Sequence, residues 1–157
     1  MACPFFMPVA KLEDGAWPHP GRLPLGCGWS GHCTAPGHEG EVPPREALEE
    51  LCNLGYAENC GRLPRERSWD AVRFAVSVEK QAEKRENGTE ILANRIIQVE
   101  YACELQHRPK DHGKLEFDGQ AMAWVRRHSD SRVQKMAECF LETYLSKRKL
   151  QLNGASS

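Results

Sequence analysis

Residues 97–105, Ile97-Gln-Val-Glu-Tyr-Ala-Cys-Glu-Leu105, carry an apolar side chain at every second position. A period of two over this length predicts a strand with one buried face. Residues 72–78 repeat the pattern, and Asn87-Gly88 between the two segments is a dipeptide preferred in two-residue hairpin turns. The sequence therefore predicts an antiparallel hairpin.

A turn at Asn87-Gly88 also predicts the register of this hairpin. It pairs apolar side chains with one another, namely Val76 with Val99, Phe74 with Tyr101 and Val78 with Ile97. The apolar faces of the two strands then lie on the same side of the sheet, as a shared core requires. Beyond a turn predicted at residues 108–113, Leu115 and Phe117 indicate a third, shorter strand.

The C-terminal part of the chain changes to helical periodicity. From Ser129 onward the apolar residues follow the i, i+3, i+4 spacing, at Val133, Met136, Ala137, Phe140, Leu141, Tyr144 and Leu145. Ser129 or Ser131 suits the N-cap of this helix. We predict an α+β fold in which a loop-rich cysteine N-terminal half with one short helix precedes an antiparallel meander sheet covered by a long C-terminal helix.

The N-terminal half differs in composition from the rest. Residues 1–68 contain nine of the ten prolines and five of the seven cysteines. Only residues 44–55 show helix signals there, with a proline at the start, a glycine at the end and Cys52 in the last turn. We predict a cysteine-rich metal-binding segment at 1–68, a sheet with a helix at 69–152 and a flexible tail at 153–157, joined in one compact unit.

The charge balance and the N-terminus constrain location and partners. The 21 basic and 22 acidic residues form no basic stripe, so we expect no nucleic-acid partner. Pro4 and Pro8 interrupt the first apolar run, and no basic residue precedes it, so we expect neither a signal peptide nor membrane insertion. A cytoplasmic protein keeps its cysteines reduced, which favours metal ligation over disulfides.

The seven cysteines fall into two classes by their neighbours. Cys103 and Cys139 lie on apolar faces of a strand and a helix and are expected to be buried in the core. Five others sit among residues that shape the backbone, namely Cys3, Cys27, Cys33, Cys52 and Cys60. Four of these thiolates could hold zinc or an iron–sulfur cluster. Their wide spacing, without short C-x2-4-C pairs, favours an iron–sulfur cluster of the 4Fe-4S type, with zinc as the alternative. Spacing leaves Cys27 and Cys33 as alternative second ligands.

Three segments resemble a group of small uncharacterised bacterial cysteine-rich proteins. These segments are Cys-Pro-Phe-Phe-Met-Pro at residues 3–8, Gly-His-Cys-Thr-Ala at 31–35, and Cys-Asn-Leu-Gly-Tyr-Ala-Glu-Asn-Cys at 52–60, followed by Leu63-Pro64. The resemblance brings no established activity. It implies that Cys3, Cys33, Cys52 and Cys60 form the ligand quartet and that Cys27 is accessory.

Two function hypotheses follow from the cysteines. The first is a small cluster-binding protein with a redox or sensing role and a possible protein redox partner. The second is a zinc-stapled protein-interaction module. His32 beside Cys33 is a weaker candidate as a ligand or as the base of a cysteine nucleophile, and the sequence contains no catalytic constellation. It makes no prediction about oligomeric state.

Overall fold

The described part of the chain folds into two antiparallel sheets, a short helical segment and one long helix. The structure, a computed structural model, describes residues 2–12, 17, 23–79 and 96–154, without the side chains of residues 78, 79 and 150–154. In chain order the elements are β1 (Phe6–Lys11), β2 (Trp29–Cys33), α1 (Arg45–Ala47), a π-helical segment (Leu48–Cys52), β3 (Ala71–Glu79), β4 (Ile96–Leu105), β5 (Arg108–Asp118), β6 (Ala123–Arg126) and α2 (Ser131–Gly154). The predicted α+β class is confirmed.

The larger sheet is a meander with the strand order β3-β4-β5-β6. Phe74 pairs with Tyr101 and Val76 with Val99, as predicted. The predicted pairing of Val78 with Ile97 is wrong, because an irregularity after Val76 shifts the register. The predicted Asn87-Gly88 turn lies outside the described residues, and β6 is a fourth strand that the sequence analysis did not predict.

The turn between β4 and β5 lies earlier than the predicted turn at 108–113. It consists of Gln106 and His107, whose φ angles are 51° and 62°. Two central residues with positive φ are typical of a type I′ hairpin, but glutamine and histidine are not the residues usually found there. Tertiary contacts hold the turn, because the Tyr56 ring stacks on His107 at 4.1 Å and the Asp70 carboxylate accepts a 2.8 Å hydrogen bond from the Gln106 N–H.

Helix α2 covers one face of the larger sheet and confirms the predicted long helix. Buried side chains of α2 and the sheet form a shared cluster, made of Ile97, Val99, Leu115, Phe117, Ala137 and Leu141. The N-cap is Asp130 instead of the predicted Ser129 or Ser131, since its Oδ1 accepts hydrogen bonds from the N–H groups of Arg132 and Val133. The helix continues to Gly154, into the segment predicted as a tail.

Replacing Asp130 with alanine should lower the free energy of unfolding by about 1 kcal/mol at neutral pH, because two helical N–H groups lose their acceptor. Burial alone would raise the pKa of Asp130, but its hydrogen bonds with Arg132 outweigh burial and lower the pKa below its usual range. A carboxyl group whose pKa is lower in the folded than in the unfolded state stabilises the fold at pH values above its unfolded-state pKa. This stabilisation is lost as the pH falls through the folded-state pKa. Urea unfolding should therefore show a difference between wild type and variant that shrinks below about pH 4. The Ser129→Ala variant is the control, and an equal loss in both variants would contradict the cap assignment.

The N-terminal half is more ordered than its composition suggests. Strands β1 and β2 form a two-stranded antiparallel sheet in a region predicted to be mostly loop. Ala2 and Val72 exchange backbone hydrogen bonds of 2.7 and 2.8 Å, which attach the start of the chain to the larger sheet. Both halves contribute to one core, which includes Phe6, Trp29, Val72, Cys103, Val133 and Met136. This shared core positions the cysteine-bearing loops against the sheet and α2.

Candidate metal centre

Four cysteines from separate parts of the N-terminal half line one small cavity. They are Cys3, Cys33, Cys52 and Cys60, the quartet that the resemblance implies. The cavity has a volume of about 20 Å³. Its remaining described wall is apolar except for Arg62. The fold thus brings four thiols together in an environment that excludes most water.

Backbone hydrogen bonds connect the ligand-bearing segments directly. The Cys3 N–H donates to the Cys52 carbonyl at 3.0 Å, which joins the start of the chain to the end of the π-helical segment. Cys33 ends β2, where its N–H donates to the Glu41 carbonyl at 2.8 Å and its carbonyl accepts from Gly40 at 2.9 Å. These bonds hold the cysteines independently of any bound group.

Local backbone hydrogen bonds position the other two cysteines, Cys52 and Cys60. Cys52 is the last residue of the π-helical segment, whose wider turn is shown by the 3.2 Å bond from the Asn53 N–H to the Leu48 carbonyl. Such segments are rare and often occur at functional sites. Cys60 donates its N–H to the Ala57 carbonyl at 2.8 Å, and its own carbonyl accepts from Leu63 at 3.2 Å. Hydrogen bonds within each local segment therefore fix the backbone positions of both cysteines.

The four thiols also interact electrostatically. Burial, with smaller contributions from the nearby Cys33 and Cys60, raises the pKa of Cys3 to about 11. Burial likewise raises the pKa of Cys52 to about 12, with added contributions from Cys3, Cys60 and Cys33. Four thiolates in such a cavity would repel one another unless positive charge lay between them. The site is therefore suited to protonated thiols or to thiolates around a metal.

The spacing of the sulfurs exceeds that of a single-ion site. Tetrahedral zinc with bonds near 2.3 Å brings its sulfurs to about 3.8 Å from one another. Among the described residues, the three ligand atoms that all lie within 4.8 Å of one another belong to Cys103, Asp111 and His128. No three sulfurs of the quartet therefore lie that close together. As the sulfurs lie, they are too far apart to bind one tetrahedral zinc ion.

Backbone N–H groups lie close to two of the sulfurs. Ala35 donates to Cys33 Sγ at 3.4 Å. The Phe6 N–H donates to the Cys3 carbonyl at 3.1 Å, and the N–H groups of Phe5 and Phe6 lower the pKa of the Cys3 thiol, against the larger effect of burial. Donors of this kind stabilise thiolate charge and influence the potential of a cysteine-ligated cluster.

No family model, curated protein or solved structure matches the chain. The donors, burial and spacing of the four cysteines are therefore the basis for inferring a function. As far as the structure describes them, the helices lack the length and apolar character needed to cross a membrane.

The buried amide of Asn53 joins the Cys52 segment to β2. Its Oδ1 accepts a 3.0 Å hydrogen bond from the Trp29 N–H, and its Nδ2 donates to the carbonyls of Trp29 at 3.1 Å and Leu48 at 2.9 Å. Asn53 is only 1% exposed, so water cannot replace these partners. One side chain thus satisfies three buried backbone groups beside a candidate ligand.

Replacing Asn53 with alanine should lower the free energy of unfolding by about 3 kcal/mol, because the buried N–H and carbonyl of Trp29 lose their side-chain partner and the Leu48 carbonyl loses one of its donors. Urea unfolding measures this loss. The Asn59→Ala variant is a matched control, because Asn59 is exposed in the same loop and should change stability by less than about 0.5 kcal/mol. Similar losses in the two variants would contradict the role assigned to Asn53.

The remaining cysteine and histidine candidates lie elsewhere. Cys27, the alternative second ligand, places its Sγ 3.5 Å from Thr143 Oγ1 on α2. His32 precedes Cys33 on β2, so its side chain points to the opposite face of the strand. Cys103 and Cys139 are buried at 0% and 2% exposure, as predicted.

A second group of metal-ligating residues was not predicted from the sequence. Cys103, Asp111 and His128 bring their ligand atoms within 4.8 Å of one another, although they lie far apart along the chain. The Asp130 N–H donates to His128 Nδ1 at 2.9 Å, so the ring proton lies on Nε2, which is 3.3 Å from Asp111 Oδ2. A metal-bound histidine usually donates through its other nitrogen, which is the reverse arrangement. The Asp111 side chain is 42% exposed, so this group is better described as a hydrogen-bonded His128–Asp111 pair beside the buried Cys103.

Proposed function

We propose that the chain binds an iron–sulfur cluster of the 4Fe-4S type through Cys3, Cys33, Cys52 and Cys60 and has a redox or sensing role. The observation that carries this proposal is the convergence of the four thiols on one small, largely apolar cavity. The protein would work in the reducing cytoplasm, with a protein as its redox partner.

The donor set supports a cluster over a single zinc ion. Four cysteine thiolates are the usual ligands of a 4Fe-4S cluster. Since no three of the quartet's sulfurs lie within 4.8 Å of one another, a zinc ion would require them to move closer together. The alternative function, a zinc-stapled interaction module, would require this rearrangement and is distinguished from a cluster by metal analysis.

The surrounding residues support one-electron chemistry at this site. A bound cluster would supply reversible one-electron transfer. Phe5 and Phe6 line the cavity and would exclude water, while their N–H groups would stabilise the charge on Cys3. Cys52 and Cys60 are half-buried, whereas Cys3 and Cys33 are buried, so electrons would enter and leave on the Cys52 and Cys60 side.

Metal and sulfide analysis of anaerobically purified protein tests the proposal. We expect about four irons and four acid-labile sulfides per chain, with broad absorption at about 400 nm that is bleached by dithionite. A colourless protein that retains one zinc per chain would contradict the cluster and support the zinc-stapled module. A protein that retains neither metal after anaerobic reconstitution would contradict both.

A further inference from the structure

Arg62 contributes a charged group to the otherwise apolar described wall of the cysteine cavity. Its guanidinium and the Cys60 thiol line the same cavity and interact electrostatically, and its positive charge favours the thiolate form of Cys52. These two cysteines are the half-buried members of the quartet. The positive charge therefore lies on the side of the cavity that faces solvent.

Glu41 holds the guanidinium in this position. Arg62 Nε donates to Glu41 Oε2 at 2.7 Å, and His38 Nδ1 lies 2.9 Å from Glu41 Oε1. The hydrogen bond from Arg62, with a smaller effect of His38, lowers the pKa of Glu41, so its carboxylate is ionised at neutral pH. Because the Glu41 carbonyl also accepts the Cys33 N–H, this residue is anchored to the ligand-bearing backbone.

We propose that Arg62 and Glu41 form a charge pair that sets the reduction potential of the group bound by the four cysteines. This inference rests on the proposed function. One-electron reduction adds one negative charge at the site, and the electron comes from the chemical reductant used in the titration. The guanidinium next to the sulfurs stabilises the added charge, and the carboxylate beyond it partly cancels that effect.

The two members of the pair should consequently act in opposite directions. Arg62→Gln removes the positive charge beside Cys60 and should make reduction about tenfold less favourable, which lowers the midpoint potential by about 59 mV. Glu41→Gln removes the opposing negative charge and should raise the midpoint potential. Arg62→Lys keeps the charge and should stay closer to wild type than Arg62→Gln does.

Spectroscopic redox titration of the reconstituted protein measures these shifts, and iron content is measured on the same samples. Arg65→Gln and Glu39→Gln are matched controls, since both residues are exposed and lie close in sequence to the pair. We expect both controls to keep the wild-type potential.

Three results would overturn the inference. Shifts of Arg62→Gln and Glu41→Gln in the same direction, or no larger than those of the controls, would show that the pair does not set the potential. If Arg62→Gln fails to retain the cluster, the midpoint potential of Arg62→Lys tests the inference instead. A potential of Arg62→Lys that differs from the wild-type potential would show that the charge of Arg62 is not the cause. A wild-type protein that binds no cluster would overturn this inference together with the proposed function, whereas normal cluster binding with unshifted variants would overturn this inference alone.

Discussion

Replacing Cys52 with serine is expected to abolish cluster binding, with iron falling from about four per chain to less than about one and the absorption at about 400 nm disappearing. Serine preserves the size of the side chain but removes the thiolate ligand. The Cys52 carbonyl should still accept the Cys3 N–H, because the backbone does not change. The variant therefore removes one ligand while retaining the local hydrogen bond that connects two ligand-bearing segments.

Loss of the cluster should also destabilise the N-terminal half. Free energy of binding to the folded site adds to the free energy of folding, so the wild type should gain stability from its bound group and Cys52→Ser should not. Thermal unfolding of the two proteins, with and without reconstitution, measures this difference. We expect reconstitution to raise the melting temperature of the wild type only.

Cys27→Ser is the matched control for this experiment. Cys27 is also half-buried in the N-terminal half, but its Sγ contacts Thr143 on α2. This variant should keep full iron content and the wild-type spectrum. Loss of the cluster in Cys27→Ser with retention in Cys52→Ser would contradict the proposed quartet.

Replacing Gly31 with alanine is expected to cause a large loss of stability from a single added methyl group. A Cβ at Gly31 would lie 2.0 Å from the Met7 carbonyl oxygen and 2.9 Å from the Phe6 ring. The carbonyl belongs to the backbone of β1, which pairs with β2, so the two strands would have to separate. We expect the free energy of unfolding to fall by more than about 3 kcal/mol, and the melting temperature by about 10 °C.

The same change should weaken the candidate metal centre. Cys33 follows two residues after Gly31 at the end of β2, so displacement of this strand moves one of the four ligands. Iron content after reconstitution should therefore fall together with stability. Gly61→Ala is the matched control, because no atom lies within 4 Å of a Cβ at that position, although it adjoins Cys60. Equal stability losses at the two glycines would contradict the steric explanation.

The sheet and the long helix were largely predictable from the sequence. The alternation in residues 72–78 and 97–105 predicted two strands, and the assumed turn at Asn87-Gly88 predicted most of their register. It did not predict the shift after Val76, because a bulge changes the pairing without changing the period of the sequence. The turn at Gln106 and His107 was also missed, since its conformation depends on Tyr56 and Asp70 from distant parts of the chain.

The candidate site was predictable only in part. Cysteines among prolines and glycines indicated metal ligation, and the resemblance implied the quartet. The exclusion of Cys27 from the cavity, the Arg62 and Glu41 pair and the Asn53 hydrogen bonds required the folded chain. The group of Cys103, Asp111 and His128 gave no sequence signal, because its members come from β4, β5 and the segment before α2.

The sequence by itself determined the periodicity of β3, β4 and α2 and the position of five cysteines among prolines and glycines, because these properties depend on neighbouring residues and composition. Only the tertiary structure decided which thiols meet, how far apart their sulfurs lie and which charges face them. Cys3 and Cys52 meet because the start of the chain bonds to the end of the π-helical segment and to Val72 of β3. Such contacts form when distant segments bury a common core, and no local pattern in the sequence encodes them.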